Sequence, residues 1–152
     1  MKKCLGVIGL SDILRQSARD MVARLTGMNT KTLLLSGDNQ KAAEYFAEEA
    51  GISAVFAGLL PQDKVKQIEK LQQTGNRICM IGDGVNDAPA LKTADVGVAM
   101  GSRGSDIAVE AADISLIGDD ISKIPYLKQL SRSTLRTIKG NIAASMGINA
   151  VA

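Results

Sequence analysis

Six times along this chain a short aliphatic run gives way, within a few glycine or polar residues, to a stretch with helical spacing. The runs are Leu5–Leu10, Thr32–Leu35, Ile52–Phe56, Ile78–Ile81, Val96–Met100 and Ile114–Ile117. Each is too short for a helix and rich in the aliphatic residues of a buried strand. Helical spacing follows each of them, first over Ile13–Leu25, where Ile13, Leu14, Met21, Val22 and Leu25 share a face and Gly27 is a candidate stop. Helices are next expected over Gln40–Ala50, closed by Gly51, and over Gln62–Gln73, with Val65, Ile68 and Leu71 three apart and a break at Gly75-Asn76. Shorter ones are expected over Ala88–Thr93 and Asp106–Ala111, the latter capped by Ser105. From Ile121 the chain reads as helical to its end, entered near Pro125. Strand–helix alternation with short connections predicts an α/β fold with a mostly parallel sheet. Ligands in such sheets sit at the carboxyl ends of the strands. Three polar loops fall there: Ser36–Asn39, Gly82–Asp87 and Gly101–Gly104.

Composition narrows the chemistry. A chain of 152 residues, 45% apolar, suits one compact domain. Aromatics are only 3% and Trp is absent, so the core must come from Ile, Leu, Val, Ala and Met. A net charge of +2 leaves no basic face for nucleic acid, and there are no aromatic platforms for stacking bases. The absence of His excludes His-based metal sites and His acid–base catalysis. Cys4 and Cys79 have no CxxC spacing and read as buried core thiols in a reducing compartment. Met1-Lys2-Lys3 is basic, but the apolar run after it is short and no small-residue cleavage site follows, so no signal peptide is expected. No run reaches the roughly 18–20 apolar residues that span a bilayer. The closest, Asn141–Ala152, stops where the chain stops.

The chemistry concentrates in Ile78–Leu91, ICMIGDGVNDAPAL. A buried strand ending in Gly-Asp-Gly, with Asn86 and Asp87 close behind, offers hard oxygen donors of the kind Mg²⁺ takes, one or two carboxylates with water and phosphate completing its shell. Glycine lets backbone approach a phosphate. A plain βα turn with Asp87 as a helix cap would also produce GDG. Other residues extend the first reading. Ser36 offers a hydroxyl near backbone amides and Lys64 a compact cation for a phosphoryl oxygen. Donors, a cation and Mg²⁺ together are what phosphoryl transfer needs to stabilise charge on equatorial oxygens. Singly, Ser36 also suits a helix cap, Lys64 a solvated helix start, and Asp63 an N-terminal helix charge.

SGDNQKAA at 36–43, LPQDK at 60–64 and GDGVNDAPAL at 82–91 follow one another in a definite order. ADVGVAMG at 94–101, SDIAVEAAD at 105–113 and SRSTLRTIKGN at 131–141 continue it. From about Gly6 to Asn149 the chain resembles the second half of the phosphorylation domain of P-type ATPases, in the heavy-metal-transporting branch of these haloacid-dehalogenase-like cation pumps. The first segment is similar to the family's TGDN-x-x-TA, with Ser for Thr; the second to its LP-x-DK; the third to its hinge signature. The resemblance implies a three-layer, Rossmann-like fold over residues 1–124 and a C-terminal helix over 125–152 leading to the start of a membrane helix. It implies that Ser36 holds a phosphoryl oxygen, with Asp38 beside it coupling domain closure, and that Lys64 neutralises the phosphoryl group. Asp83 would ligate Mg²⁺, and Asn86 and Asp87 would position water, metal and the transferred group, Asp87 reaching the metal as well. Gly37 and Gly84 would let the phosphate approach the backbone. The cofactor implied is Mg²⁺, with ATP or its phosphoryl group in a complete pump. The location implied is the cytoplasmic side of a pump held in the cell membrane, with the membrane reached only through that parent.

The family's aspartyl phosphate forms on DKTGT, and neither that string nor a generic Asp-x-Asp occurs here. A carboxylate nucleophile is what divides the hydrolysis into two steps, so the chain by itself is expected to be inactive. In the resembled fold the nucleophile strand lies between the strands ending at Ser36 and Gly82. The sheet is therefore expected to be incomplete, and an unfilled edge invites pairing. The expected partners are the rest of a pump or a second copy of this chain, with no nucleic acid. A stand-alone, non-catalytic Mg²⁺ and phosphate module is the other reading, and a soluble phosphatase with an unrecognised nucleophile a third.

Overall fold

A computed structural model describes residues 14–82, 85–100, 106–118 and 120–151. The expectations for Leu5–Leu10, Cys4, Asp83, Gly84, the Gly101–Gly104 turn and Ser105 lie outside the described residues. The elements alternate: α1 (Gln16–Gly27), β1 (Leu33–Leu35), α2 (Gln40–Ala50), β2 (Ala54–Phe56), α3 (Pro61–Gln73), β3 (Cys79–Gly82), α4 (Ala88–Thr93), β4 (Val96–Met100), α5 (Asp106–Ala111), β5 (Ile114–Leu116) and α6 (Lys123–Val151). A single 3-10 turn, Val85–Asp87, leads into α4.

Local chemistry accounts for the boundaries. Asn39 caps α2, its side-chain oxygen accepting from the Ala42 amide at 3.0 Å, and Gly51 ends the helix at φ 75°, where a side chain would be strained. Pro61 opens α3, a position that needs no amide donor, while the Asp63 carboxylate accepts from the Leu60 amide at 3.3 Å. Helix α1 ends at Gly27, the expected stop, but the left-handed turn comes two residues later at Asn29, whose φ is 54°. Asn tolerates the left-handed region by bonding locally, so it can end a helix in glycine's place.

All pairing among the described strands is parallel. Within β3–β4–β5, Met80 pairs with Gly97, Ile81 with Val98 and Val98 with Ile114, so alternate residues face opposite layers. On one face Met80 and Ala99 pack with Ile68 of α3, Ala90 and Leu91 of α4 and Ala108 of α5. On the other, Val98 and Leu116 pack with Leu25 of α1 and Ile124 of α6. Helices on both faces of a parallel sheet make the three-layer α/β fold expected from the sequence. Gly97 is needed for this packing, since a Cβ there would come 2.6 Å from the Leu91 carbonyl oxygen.

Two findings bear on the site. The strands form two separate ladders, β1–β2 and β3–β4–β5, with no pairing between β1 and β3 among the described residues. Cys79, expected in the core, is exposed. It begins β3, the last strand of its ladder, while the α1 and α6 residues on that face gather over Val98 and Leu116 of β4 and β5.

Candidate phosphate and metal site

The carboxyl ends of the two ladders meet through one ion pair. Lys64 stands in the first turn of α3, just after β2, and its Nζ lies 2.7 Å from Asp87 Oδ1, in the turn after β3. The two side chains are only 14% and 15% exposed. This shielding makes the pair stronger than a surface ion pair. Asp87 occupies the cap position of α4, yet its carboxylate makes no cap hydrogen bond and is held by the lysine. The plain capping role is thereby excluded for Asp87.

Gly82 seats this carboxylate. A Cβ at Gly82 would lie 2.7 Å from Asp87 Cβ and 3.0 Å from Asp87 Oδ2. The glycine that ends β3 makes room for Asp87 to fold back over the strand. Spacing had suggested only that glycines there admit a phosphate. The pairs Gly82/Asp87 and Lys64/Asp87 are contacts that the fold creates, and no periodicity could have revealed them.

Ser36 follows β1 directly. Its amide donates to Phe56 O at 2.9 Å, extending the β1–β2 ladder by one residue. Its hydroxyl donates to Asp38 Oδ2 at 2.8 Å and accepts from the Asp38 amide at 3.1 Å. Asn39, rather than Ser36, caps α2. The turn is braced by the Gly58 amide donating to Asp38 O and the Leu59 amide to Ser36 O, at 2.7 and 3.0 Å. Gly37 is exposed, with the Leu59 carbonyl oxygen 3.4 Å from where its Cβ would stand. Asn86 is exposed beside Asp87. The geometry thus links Lys64 with Asp87 directly and Ser36 with Asp38 directly, each couple at the carboxyl end of its own ladder. Among the described residues no hydrogen bond joins the two couples.

The donor set can be tested against Mg²⁺. Asp87 gives Oδ1 to Lys64, leaving Oδ2 as a hard donor, and Asn86 adds an amide oxygen. Among the described residues no group of three His, Cys, Asp or Glu side chains gathers. Asp83 lies outside the described residues; a carboxylate and an amide oxygen are hard donors of the kind Mg²⁺ takes, with water and phosphate completing its shell.

A second carboxylate, which sequence reasoning did not single out, organises the opposite end of the sheet. Asp95 accepts from the Ile78 amide at 2.9 Å, from Arg77 Nη1 at 2.7 Å and from Gln72 Nε2 at 3.1 Å. These bonds, the backbone one foremost, hold its carboxyl well below the usual range, at about 2. It ties the end of α3 to the starts of β3 and β4. The available signal was an Asp just before one parallel strand and an Arg just before its neighbour.

Parallel ladders between helical layers, with a lysine and carboxylates at their carboxyl ends, define a class that the family match names. Residues 1–95 match the model for haloacid dehalogenase-like hydrolases, and the chain belongs to that family. It is similar to several heavy-metal pumps. It is 45% identical over 152 residues to a cadmium-transporting ATPase of Staphylococcus aureus, covering 99% of this chain and 21% of that protein. It is 44% identical to a copper-exporting P-type ATPase of Staphylococcus haemolyticus, covering 97% and 18%. A zinc-transporting PIB-type ATPase in its E2.Pi state superposes with a TM-score of 0.87 at 41% identity, over 92% of this chain and 23% of that one. The catalytic domain of a CPx-ATPase gives 0.71 at 44% identity, over 77% and 46%. The chain therefore spans about a fifth of the length of these curated relatives.

Proposed function

We propose that this chain is the Mg²⁺- and phosphate-binding half of the phosphorylation domain of an ATP-driven heavy-metal pump. The observation that carries the reading is the Lys64–Asp87 pair, shielded and placed where the carboxyl ends of the two ladders meet. Ser36 supplies a hydroxyl at the end of β1, already held by Asp38. In this reading Lys64 neutralises a phosphoryl oxygen and Ser36 donates to another. Asp87 and Asn86, with Asp83, hold Mg²⁺ and its water, and Gly37 and Gly84 admit the phosphate. Mg²⁺ would supply charge neutralisation across the phosphoryl oxygens. The nucleophilic carboxylate comes from another segment, so the isolated chain forms no acyl phosphate. In the complete pump the site would stand on the cytoplasmic side of the membrane.

The test is amide NMR of the full chain titrated with MgCl₂ and inorganic phosphate. Shifts concentrated at Ser36, Gly37, Lys64, Asn86 and Asp87, and lost in Lys64→Met, are expected. Phosphate shifts that ignore Lys64→Met would overturn the reading. Incubation with γ-labelled ATP and Mg²⁺, quenched in acid, should leave the chain unlabelled. A hydroxylamine-sensitive label would show that it carries its own nucleophile.

A further inference from the structure

We propose, resting on the preceding reading, that the chain's own carboxylates hold this site shut, so that phosphate and a hard divalent cation each bind weakly alone and tightly together.

Both groups assigned to the phosphoryl oxygens already donate to a carboxylate of this chain. The Ser36 hydroxyl has one proton, and it goes to Asp38 Oδ2 at 2.8 Å. A phosphoryl oxygen arriving at Ser36 meets the hydroxyl's lone pairs and the Asp38 charge beside them. Lys64 donates to Asp87 Oδ1 at 2.7 Å. Its ammonium keeps two further protons, but at that distance the carboxylate cancels most of its field. The two side chains are largely shielded, so water screens little of that cancellation. An incoming anion therefore finds a neutral pair where a free cation would attract it.

Packing opposes withdrawal of either carboxylate. Asp87 lies over Gly82, its Cβ 2.7 Å from where a Cβ on that glycine would stand. The Asp38 backbone is pinned on both sides. Its amide donates to Ser36 Oγ at 3.1 Å, and its carbonyl accepts from the Gly58 amide at 2.7 Å.

The Lys64–Asp87 pair works equally against a lone cation. A divalent ion approaching Asp87 meets the Lys64 ammonium already seated on one of its oxygens, and like charges repel. With both ligands present the signs are satisfied in turn. The cation takes up the charge of Asp87, Lys64 is left to the anion, and the two ligands attract each other. Linkage then requires each ligand to tighten the other by one and the same factor.

The test is amide NMR of the full chain at fixed ionic strength, read at Ser36, Gly37 and Asp87. Inorganic phosphate is titrated in EDTA and in saturating MgCl₂, and MgCl₂ is titrated with and without phosphate. Phosphate should bind about tenfold tighter with Mg²⁺, and Mg²⁺ tighter by the same factor with phosphate. A metal-free isotherm too weak to bend, beside a saturating one in MgCl₂, is the same result. In Asp87→Asn, phosphate in EDTA should bind about tenfold tighter than in the parent chain, and the gain from Mg²⁺ should shrink. Asp38→Asn should tighten phosphate binding in EDTA and in MgCl₂ alike. Carboxylates that merely prop up the site would give the opposite sign, weaker binding on substitution. Equal phosphate affinity with and without Mg²⁺ in the parent chain would overturn the proposal and leave the phosphoryl reading standing. So would weaker metal-free binding in either variant. Should Asp87→Asn lose its folded spectrum, the parent chain's two coupling factors and Asp38→Asn decide. No phosphate shift in any chain under either condition would overturn the phosphoryl reading and the proposal with it.

Discussion

At the scale of single residues, three positions carry most of the argument. Gly82 has a side-chain-free Cα because Asp87 lies where a Cβ would go. Gly82→Ala should displace Asp87 and cost about 1–3 kcal/mol, as overpacking does, read as a lower urea midpoint with unchanged slope. Lys64→Met should cost about 2 kcal/mol by leaving the shielded Asp87 carboxylate without its donor. Asp95 gives a pH signature. Its folded carboxyl titrates at about 2, below the ordinary value near 4, so its stabilising bonds are fully present above about pH 4. They are lost as pH falls from there through about 2. Melting temperature followed between pH 5 and 2 should fall less steeply in Asp95→Asn than in the parent chain. Equal slopes would show that the three bonds to Asp95 form equally well when it is protonated.

At the scale of elements, much was legible. Helices α2, α4 and α5 and strand β4 were read with their observed limits, and for two of them strong local chemistry sets the bounds: Asn39 and Gly51 around α2, and Pro89 inside the first turn of α4. The stop of α1 at Gly27 was legible too, but the left-handed turn at Asn29 was not, because Asn can take that conformation in glycine's place. The exposure of Cys79 was not, because apolar character reports a wish for burial and not whether a covering layer reaches that residue. The site's residue types could be read from the loops, but the Lys64–Asp87 and Gly82–Asp87 contacts cross between elements, and composition says nothing of such pairs. Helix α6 makes a prediction of its own. Ile124 and Pro125 are buried and Lys128 donates to Met28 O and Thr30 Oγ1, while every described residue from Gln129 to Ala150 is exposed. No described helix is long and apolar enough to cross a membrane. Ending the chain at residue 142 should change stability by less than ~0.5 kcal/mol, whereas Ile124→Ala should cost about 2–5 kcal/mol, both measured by urea unfolding.

At the scale of the whole molecule, the two ladders are also two consecutive lengths of chain. One is assembled entirely from residues 33–56 and the other from 79–116, and α3 bridges them. Each therefore closes through short loops, at small entropic cost, without waiting for the other. The consequence is temporal. On a ribosome the first ladder can pair before the second has been synthesised, and in denaturant the two should release as separate cooperative units, with α3 moving with the second ladder because Ile68 is sealed into its core. Unfolding followed at Leu34 and at Val98 should then give two distinct midpoints, and a shared midpoint would mean that α3 couples the halves into one.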